Sequence, residues 1–176
     1  MNLAWIDTET TGLDTAKCER LEIGLVITTS ELEVLHAVSY YIIDERRDDP
    51  EGMSDPFIIK MHQENGLWVD RDRDPCKLAD AEELLIAAIE QYGAKGSPMC
   101  GSSVSFDRAV LADSPILEVL HYRNIDGRTL HNLAEHWGYP LAPKPESTHR
   151  AIPDCLDAIA ALSHYRRVMF VDRSTL

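Results

Sequence analysis

Leu3-Ala4-Trp5-Ile6-Asp7-Thr8-Glu9-Thr10-Thr11-Gly12-Leu13 opens the chain with an apolar run that ends in acid. The run Leu3–Thr8 predicts a strand. Side chains alternate across a strand, so residues 7 and 9 point to one side, separated by roughly two rises of ~3.3 Å. Two carboxylates so placed repel each other unless a cation lies between them. A divalent ion meets that need, with oxygen ligands at ~2.0–2.1 Å in the case of magnesium. Taken alone, the pattern also fits a polar strand end facing water. Gly12, just beyond the acids, allows a tight turn and close approach of backbone to a ligand. Leu13 projects from that turn, either as a buried anchor or toward a ligand.

Working outward, Leu21–Thr28 is rich in Ile, Val and Leu, and Val34–Ile43 carries the aromatic and β-branched residues that strands favour. Three neighbouring strands on short connections predict an antiparallel meander with the first strand central. Asp44–Asp55 and Val69–Ala79 are dense in charge and proline. Such stretches read as solvated loop, most plainly Glu45-Arg46-Arg47-Asp48-Asp49. Phe57–Gly66, between them, predicts a short helix. Leu84, Leu85, Ala88, Ile89 and Tyr92 then recur at helical spacing, ended by Gly93 and Gly96. Ser97–Gly101 reads as a short strand and Ser105–Leu111 as a helix begun by Ser105. Arg123–Asp126 follows as a strand, and Thr129–Trp137 as a helix closed by Gly138. Ala151–Val168 is the last helix, with Ile152, Leu156, Ile159 and Leu162 as its buried stripe. Strands first, then strand and helix in alternation, define an α/β class: one mixed central sheet flanked by helices. With 176 residues, the chain has the length of a single domain over residues 1–176.

Composition narrows the function. An apolar fraction of 44% is that of an ordinary globular protein and excludes wholesale disorder. No apolar run approaches the ~20 residues of a membrane span, and the first residues lack a signal-peptide pattern. Cys18, Cys76, Cys100 and Cys155 lie far apart with no Cys-x-x-Cys pair, which predicts reduced thiols and a cytoplasmic location. The net charge of −13 makes the chain a poor host for long nucleic acid, whose affinity comes mostly from basic contacts to phosphate. A short anion held by metal ions remains compatible with it.

Three more residues join Asp7 and Glu9. Asp107 falls in the first turn of the helix after Cys100-Gly101-Ser102-Ser103, where the helix dipole favours a carboxylate. Ser102 and Ser103 are turn residues or hydroxyls offered to a phosphate beside that helix. In Thr148-His149-Arg150-Ala151-Ile152-Pro153-Asp154, Pro153 suits a first helical turn, which leaves His149 on the preceding loop and Asp154 at the helix start. A loop histidine titrates near pH ~6.5, the range a general base at neutral pH requires. His131, His136 and His164 read as bystanders.

The ordered set Asp7, Glu9, Asp107, His149 and Asp154 resembles the DEDD 3′-to-5′ exonuclease superfamily, in the branch whose last acid follows a histidine by five positions. Within it the chain is similar to the oligoribonuclease family over almost its whole length. Trp5–Leu13, Ser97–Ser103, Asp107-Arg108, His121-Tyr122-Arg123, Asp126 with Thr129-Leu130, Thr148–Ala151 and Ser163–Arg167 carry the likeness. The resemblance implies an RNase H-like exonuclease fold and two Mg²⁺ or Mn²⁺ ions held by Asp7, Glu9, Asp107 and Asp154, with Asp7 bridging both. It further implies His149 as the base that deprotonates the attacking water, nucleoside 5′-monophosphates as products, and a homodimer. Thr10, Leu13, Phe57, His62 and Ser103, with Arg123 of a partner subunit, are the implied substrate contacts. Leu13 and Phe57 wedge the bases, while Ser103 and Arg123 enclose a 5′ phosphate.

The chain departs from the family pattern in four places. Ser102 stands where Asn is usual, Phe57 where Trp is usual, and Arg128 where a Ser is usual; the Asp44–Asp55 loop aligns poorly. Two other readings are a 3′-to-5′ DNA exonuclease of the proofreading or RNase T type, and a catalytically silent scaffold binding metal or a protein. His121-Tyr122-Arg123 argues against the first, and the intact five-residue set against the second.

Overall fold

The computed structural model describes residues 1–43, 56–144 and 148–170. The loop expected over Asp44–Asp55 lies outside the described residues. The three predicted strands form as β1 (Leu3–Thr10), β2 (Arg20–Thr28) and β3 (Val34–Ile42), joined antiparallel in sequence order. β2 is buried along its whole length, as its mostly apolar sequence favours. α1 (Pro56–Glu64) and α2 (Leu67–Arg73) follow, then the short β4 (Pro75–Cys76) beside β3 and α3 (Leu78–Gln91). β5 (Pro98–Gly101) lies parallel to β1 and leads into α4 (Val104–Val110) and α5 (Ile116–Val119). β6 (His121–Asp126), α6 (Gly127–Trp137) and α7 (Ala151–Met169) complete the chain. The strand order β4-β3-β2-β1-β5-β6 puts the first strand inside a mixed sheet, as expected.

The sheet carries a core on each face. Ile6, Ile23, Leu25 and Ile27 pack with Leu85 and Ile89 of α3 on one side. Trp5, Val26 and Cys100 pack with Cys155, Ala158 and Ile159 of α7 on the other. Gly24 sets the second contact. A Cβ there would stand 2.5 Å from the Ala151 Cβ, so only glycine lets the start of α7 lie so close to β2, opposite Asp7.

Three expectations need correction. Val69–Ala79 is not loop: it contributes α2, β4 and the start of α3, because Leu67 is fully buried and Trp68 donates its indole N–H to the Ile59 carbonyl. Tertiary packing there outweighs the charge density that suggested solvation. α4 begins at Val104 with Ser103 as its N-cap residue, in a left-handed conformation (φ 65°), rather than at Ser105. Leu156 is exposed. The buried face of α7 runs instead through Ala151, Cys155, Ala158, Ile159 and Tyr165, with Ile152 and Leu162 at its margin. At Gly12, where a turn was expected, the chain bends without a left-handed backbone, held by Thr10 Oγ1 donating to the Gly12 carbonyl (2.8 Å). All four cysteines are free thiols.

Candidate active site

The end of β1 and the start of α7 bring three of the predicted acids together. One carboxylate oxygen from each of Asp7, Glu9 and Asp154 lies within 4.8 Å of the other two. β-alternation puts Asp7 and Glu9 on one side, and the close seat of α7 on Gly24 delivers Asp154 from above. Asp107 comes from α4 and is tied to the same strand: its Oδ1 accepts from both the amide (2.9 Å) and the hydroxyl (2.8 Å) of Thr8.

The electrostatics of this cluster are those of a divalent-cation site. Burial, then Asp107, Glu9, Asp154 and Glu22, hold the Asp7 carboxyl well above the usual carboxylate range. Burial, reinforced by Asp154, Glu22 and Asp107, pushes Glu9 up to about 8, against the opposing pull of Arg150. Asp107 is pushed up to about 6 by burial, moderated by the Thr8 hydrogen bonds. Oxygen-only donors that repel one another when ionised suit a hard divalent ion.

A cavity of about 320 Å³ opens on this cluster, lined by Asp7, Asp154, His149, Ser103 and Arg128 among others. His149 sits exposed on the loop before α7, as expected, with a left-handed backbone (φ 49°). Ser103 and Arg128 are neighbours, since both backbone amides donate to Asp126 Oδ1 (3.0 and 2.8 Å). Leu13 is 79% and Phe57 70% exposed, so Leu13 is no buried turn anchor. Arg123 is exposed on edge strand β6, over the Tyr122 ring, and does not line this cavity. His62 is fully buried behind the acids. Its Nε2–H donates to the Thr10 carbonyl (3.3 Å) and lies 3.8 Å from Glu9 Oε2, and burial lowers its pKa. Of the bystander histidines, His131 does line the cavity, with Nδ1 2.8 Å from the Tyr165 hydroxyl.

Sequence reasoning passed over Glu22 and Arg150. Glu22 faces Glu9 across β1 and β2 at 2% exposure, and its Oε2 accepts from Arg150 Nε (3.1 Å) and the Ala151 amide (3.4 Å). Arg150 also pairs with Asp70 (2.9 Å) and donates to the Tyr41 hydroxyl (2.9 Å). The signal was a lone Glu inside an apolar strand, because a buried charge needs a partner.

A mixed sheet with an acidic cluster at the end of its central strand is an arrangement suited to metal-dependent hydrolysis. The sequence model described as exonuclease (RNase T) matches residues 4–162. The oligoribonucleases of Halorhodospira halophila and Xylella fastidiosa are each 38% identical to the chain. The matches cover 94% and 95% of this chain and 93% and 89% of theirs. A probable oligoribonuclease of Dictyostelium discoideum is 34% identical over 96% of the chain and 90% of its own length. The chain belongs to the exonuclease family, with oligoribonucleases as its relatives along nearly its full length. Among solved structures, the exonuclease I of Methylocaldum szegediense superposes with a TM-score of 0.66 at 18% identity, which shows a shared fold. The match covers 94% of this chain and spans 40% of that longer one.

Proposed function

We propose that the protein is a 3′-to-5′ exoribonuclease acting on very short RNA, dinucleotides above all, and releasing nucleoside 5′-monophosphates. The observation that carries this reading is the convergence of Asp7, Glu9 and Asp154 within 4.8 Å, with Asp107 tied to the same strand. Their all-oxygen donor set fits Mg²⁺ or Mn²⁺, and these four residues would hold two such ions. When bound, the pair supplies charge stabilisation to both the attacking and leaving oxygens of an in-line displacement. His149, on the loop lining the cavity, takes the proton of the attacking water.

Leu13 and Phe57 present exposed apolar side chains suited to wedging bases, and aromatic stacking of this kind contributes ~1–3 kcal/mol per base. Ser103 caps the 5′ phosphate inside the cavity, and Arg123 serves that phosphate from a second copy of the chain, since it lies away from its own cavity. In this reading the active form is a homodimer. Thr10 shapes the bend that carries Leu13, and His62 reaches substrate only through Thr10 and Glu9, which cover it. Free thiols fit a reducing cytoplasm, and among the described residues no helix is long and apolar enough to cross a membrane. Residues 1–176 act as one exonuclease unit.

The test is one incubation series with a diribonucleotide, a long RNA and single-stranded DNA, each with magnesium or with chelator. Fast, chelator-sensitive cleavage of the diribonucleotide supports the reading, and Asp7→Asn should abolish it while leaving the circular dichroism unchanged. Preferential cleavage of DNA or long RNA, or turnover that survives chelation, would overturn it.

A further inference from the structure

We propose that Asn65 is a positioning residue for the general base: it holds the His149 backbone in its left-handed turn and so aims the imidazole at the metal cluster. The inference rests on the assignment of His149 above.

The φ of 49° at His149 is sterically disfavoured for a side chain with a Cβ, and it persists only where the surroundings over-determine it. Asn65 supplies that restraint. Its Nδ2 donates to the carbonyls of both Thr148 (3.1 Å) and His149 (2.7 Å), the two peptide units flanking the turn's central residue. The amide is itself fixed. Its Oδ1 accepts from the Leu67 N–H (3.0 Å), an Asx-type turn that crosses Gly66, whose φ of 81° permits the reversal between α1 and α2. The Asn65 backbone N–H continues the helical ladder to Met61 (3.0 Å), and its carbonyl accepts from Arg150 Nη1 (3.4 Å).

On the far side, Arg150 anchors the same loop to Glu22 and Asp70. The base is therefore held from both flanks, by an amide before the turn and a guanidinium after it. The path continues inward, for Asn65 Nδ2 lies 3.5 Å from Nδ1 of His62, whose other nitrogen meets Thr10 and Glu9. A carboxamide is the side chain this place needs: two N–H donors for two carbonyls and an acceptor that locks its plane. Aspartate would set an acceptor against both carbonyls, and alanine would leave both unpaired.

The experiment is a double-mutant cycle on hydrolysis of 5′-phosphorylated diadenylate in magnesium, using wild type, N65A, H149A and N65A/H149A. H149A loses ~10²–10⁴-fold in kcat, the range for a general base. N65A loses on the order of tenfold to a hundredfold in kcat with KM nearly unchanged, because only the base is misaimed. The double variant is no slower than H149A alone, since a tether on an absent imidazole has nothing left to do. N65S, which keeps a single hydroxyl donor, falls between wild type and N65A and serves if N65A does not fold. Multiplying losses in the double variant, or an N65S rate equal to wild type, would make Asn65 ordinary scaffold and overturn the inference. An H149A variant with wild-type kcat would instead remove the base assignment, and the inference with it.

Discussion

Removing metal should invert the usual relation between pH and stability in this protein, and Glu9 is where the effect is most easily isolated. Its carboxyl is raised from 4.5 to about 8, chiefly by burial and then by Asp154, Glu22 and Asp107. The metal-free folded protein therefore holds a proton on Glu9 that the unfolded chain has released, so stability falls as pH rises from about 4.5 through about 8. A rise from 4.5 to about 8, at ~1.4 kcal/mol for each tenfold change, sets a ceiling of about 5 kcal/mol. Part of the shift comes from neighbours that share the burden, so a loss of about 2–3 kcal/mol is the working figure. For a chain of this length that is a fall in Tm of roughly 5–10 °C.

Asp7 and Asp107 add to the fall in the same direction, because both are raised, Asp107 to about 6 and so lower in the window. His62 opposes it below its ordinary range, since its pKa is lowered and protonation there favours unfolding. E9Q separates these contributions, because the amide cannot titrate while His62 and Asp107 remain. Thermal melts of parent and E9Q in chelator, between pH 5 and 8.5, should show the parent losing several degrees more than the variant. Magnesium at 100 times its Kd should return about 2.7 kcal/mol to the parent at pH 8, and much less at pH 5, where protons compete for the same oxygens. Parallel melting curves for parent and E9Q across that range would refute the reasoning, since Glu9 would then carry no buried proton.

Two further perturbations test separate parts of the structure. Gly24→Ala should cost about 1–3 kcal/mol by overpacking, and should depress hydrolysis as well, since α7 must move away from β2 and takes Asp154 with it; a variant with parental Tm and activity would show that the close seat of α7 is not needed. Arg123→Ala should weaken a 5′-phosphorylated dinucleotide by ~1.5–3 kcal/mol, measured in calcium to prevent turnover, and leave the unphosphorylated ligand almost untouched; equal losses for both ligands would make Arg123 a packing residue.

The acids were readable in the sequence because each depends on a local signal. Asp7 and Glu9 follow from strand alternation, and Asp154 from Pro153 in the first turn of α7. What joins them was not readable. Gly24 looks like any glycine in a strand until Ala151 is placed against it. Asn65 lies 84 residues from His149, and a side-chain amide gives no pattern that announces such a partner. Val69–Ala79 was misread for a related reason: local charge density suggested water, whereas buried Leu67 and the Trp68 indole bond hold that segment as helix. Periodicity reports which face of an element is apolar, and it is silent on which polar group will be used across the fold.

The charge distribution bears on substrate length in a way neither the composition nor the acid cluster does alone. With a net charge of −13, the protein as a whole repels a long polyanion, and that repulsion acts within a Debye length of ~8 Å at physiological salt. Arg128 and Lys144 line the cavity, and neither forms an ion pair with another described residue. Arg128 stands beside Ser103 through their shared bond to Asp126, so a cation sits next to the hydroxyl offered to the 5′ phosphate. A ligand small enough to lie wholly within the cavity meets these cations and the metal site. On the proposed reading, length selection is aided by placing cations, unpaired among the described residues, in the cavity of an otherwise acidic protein.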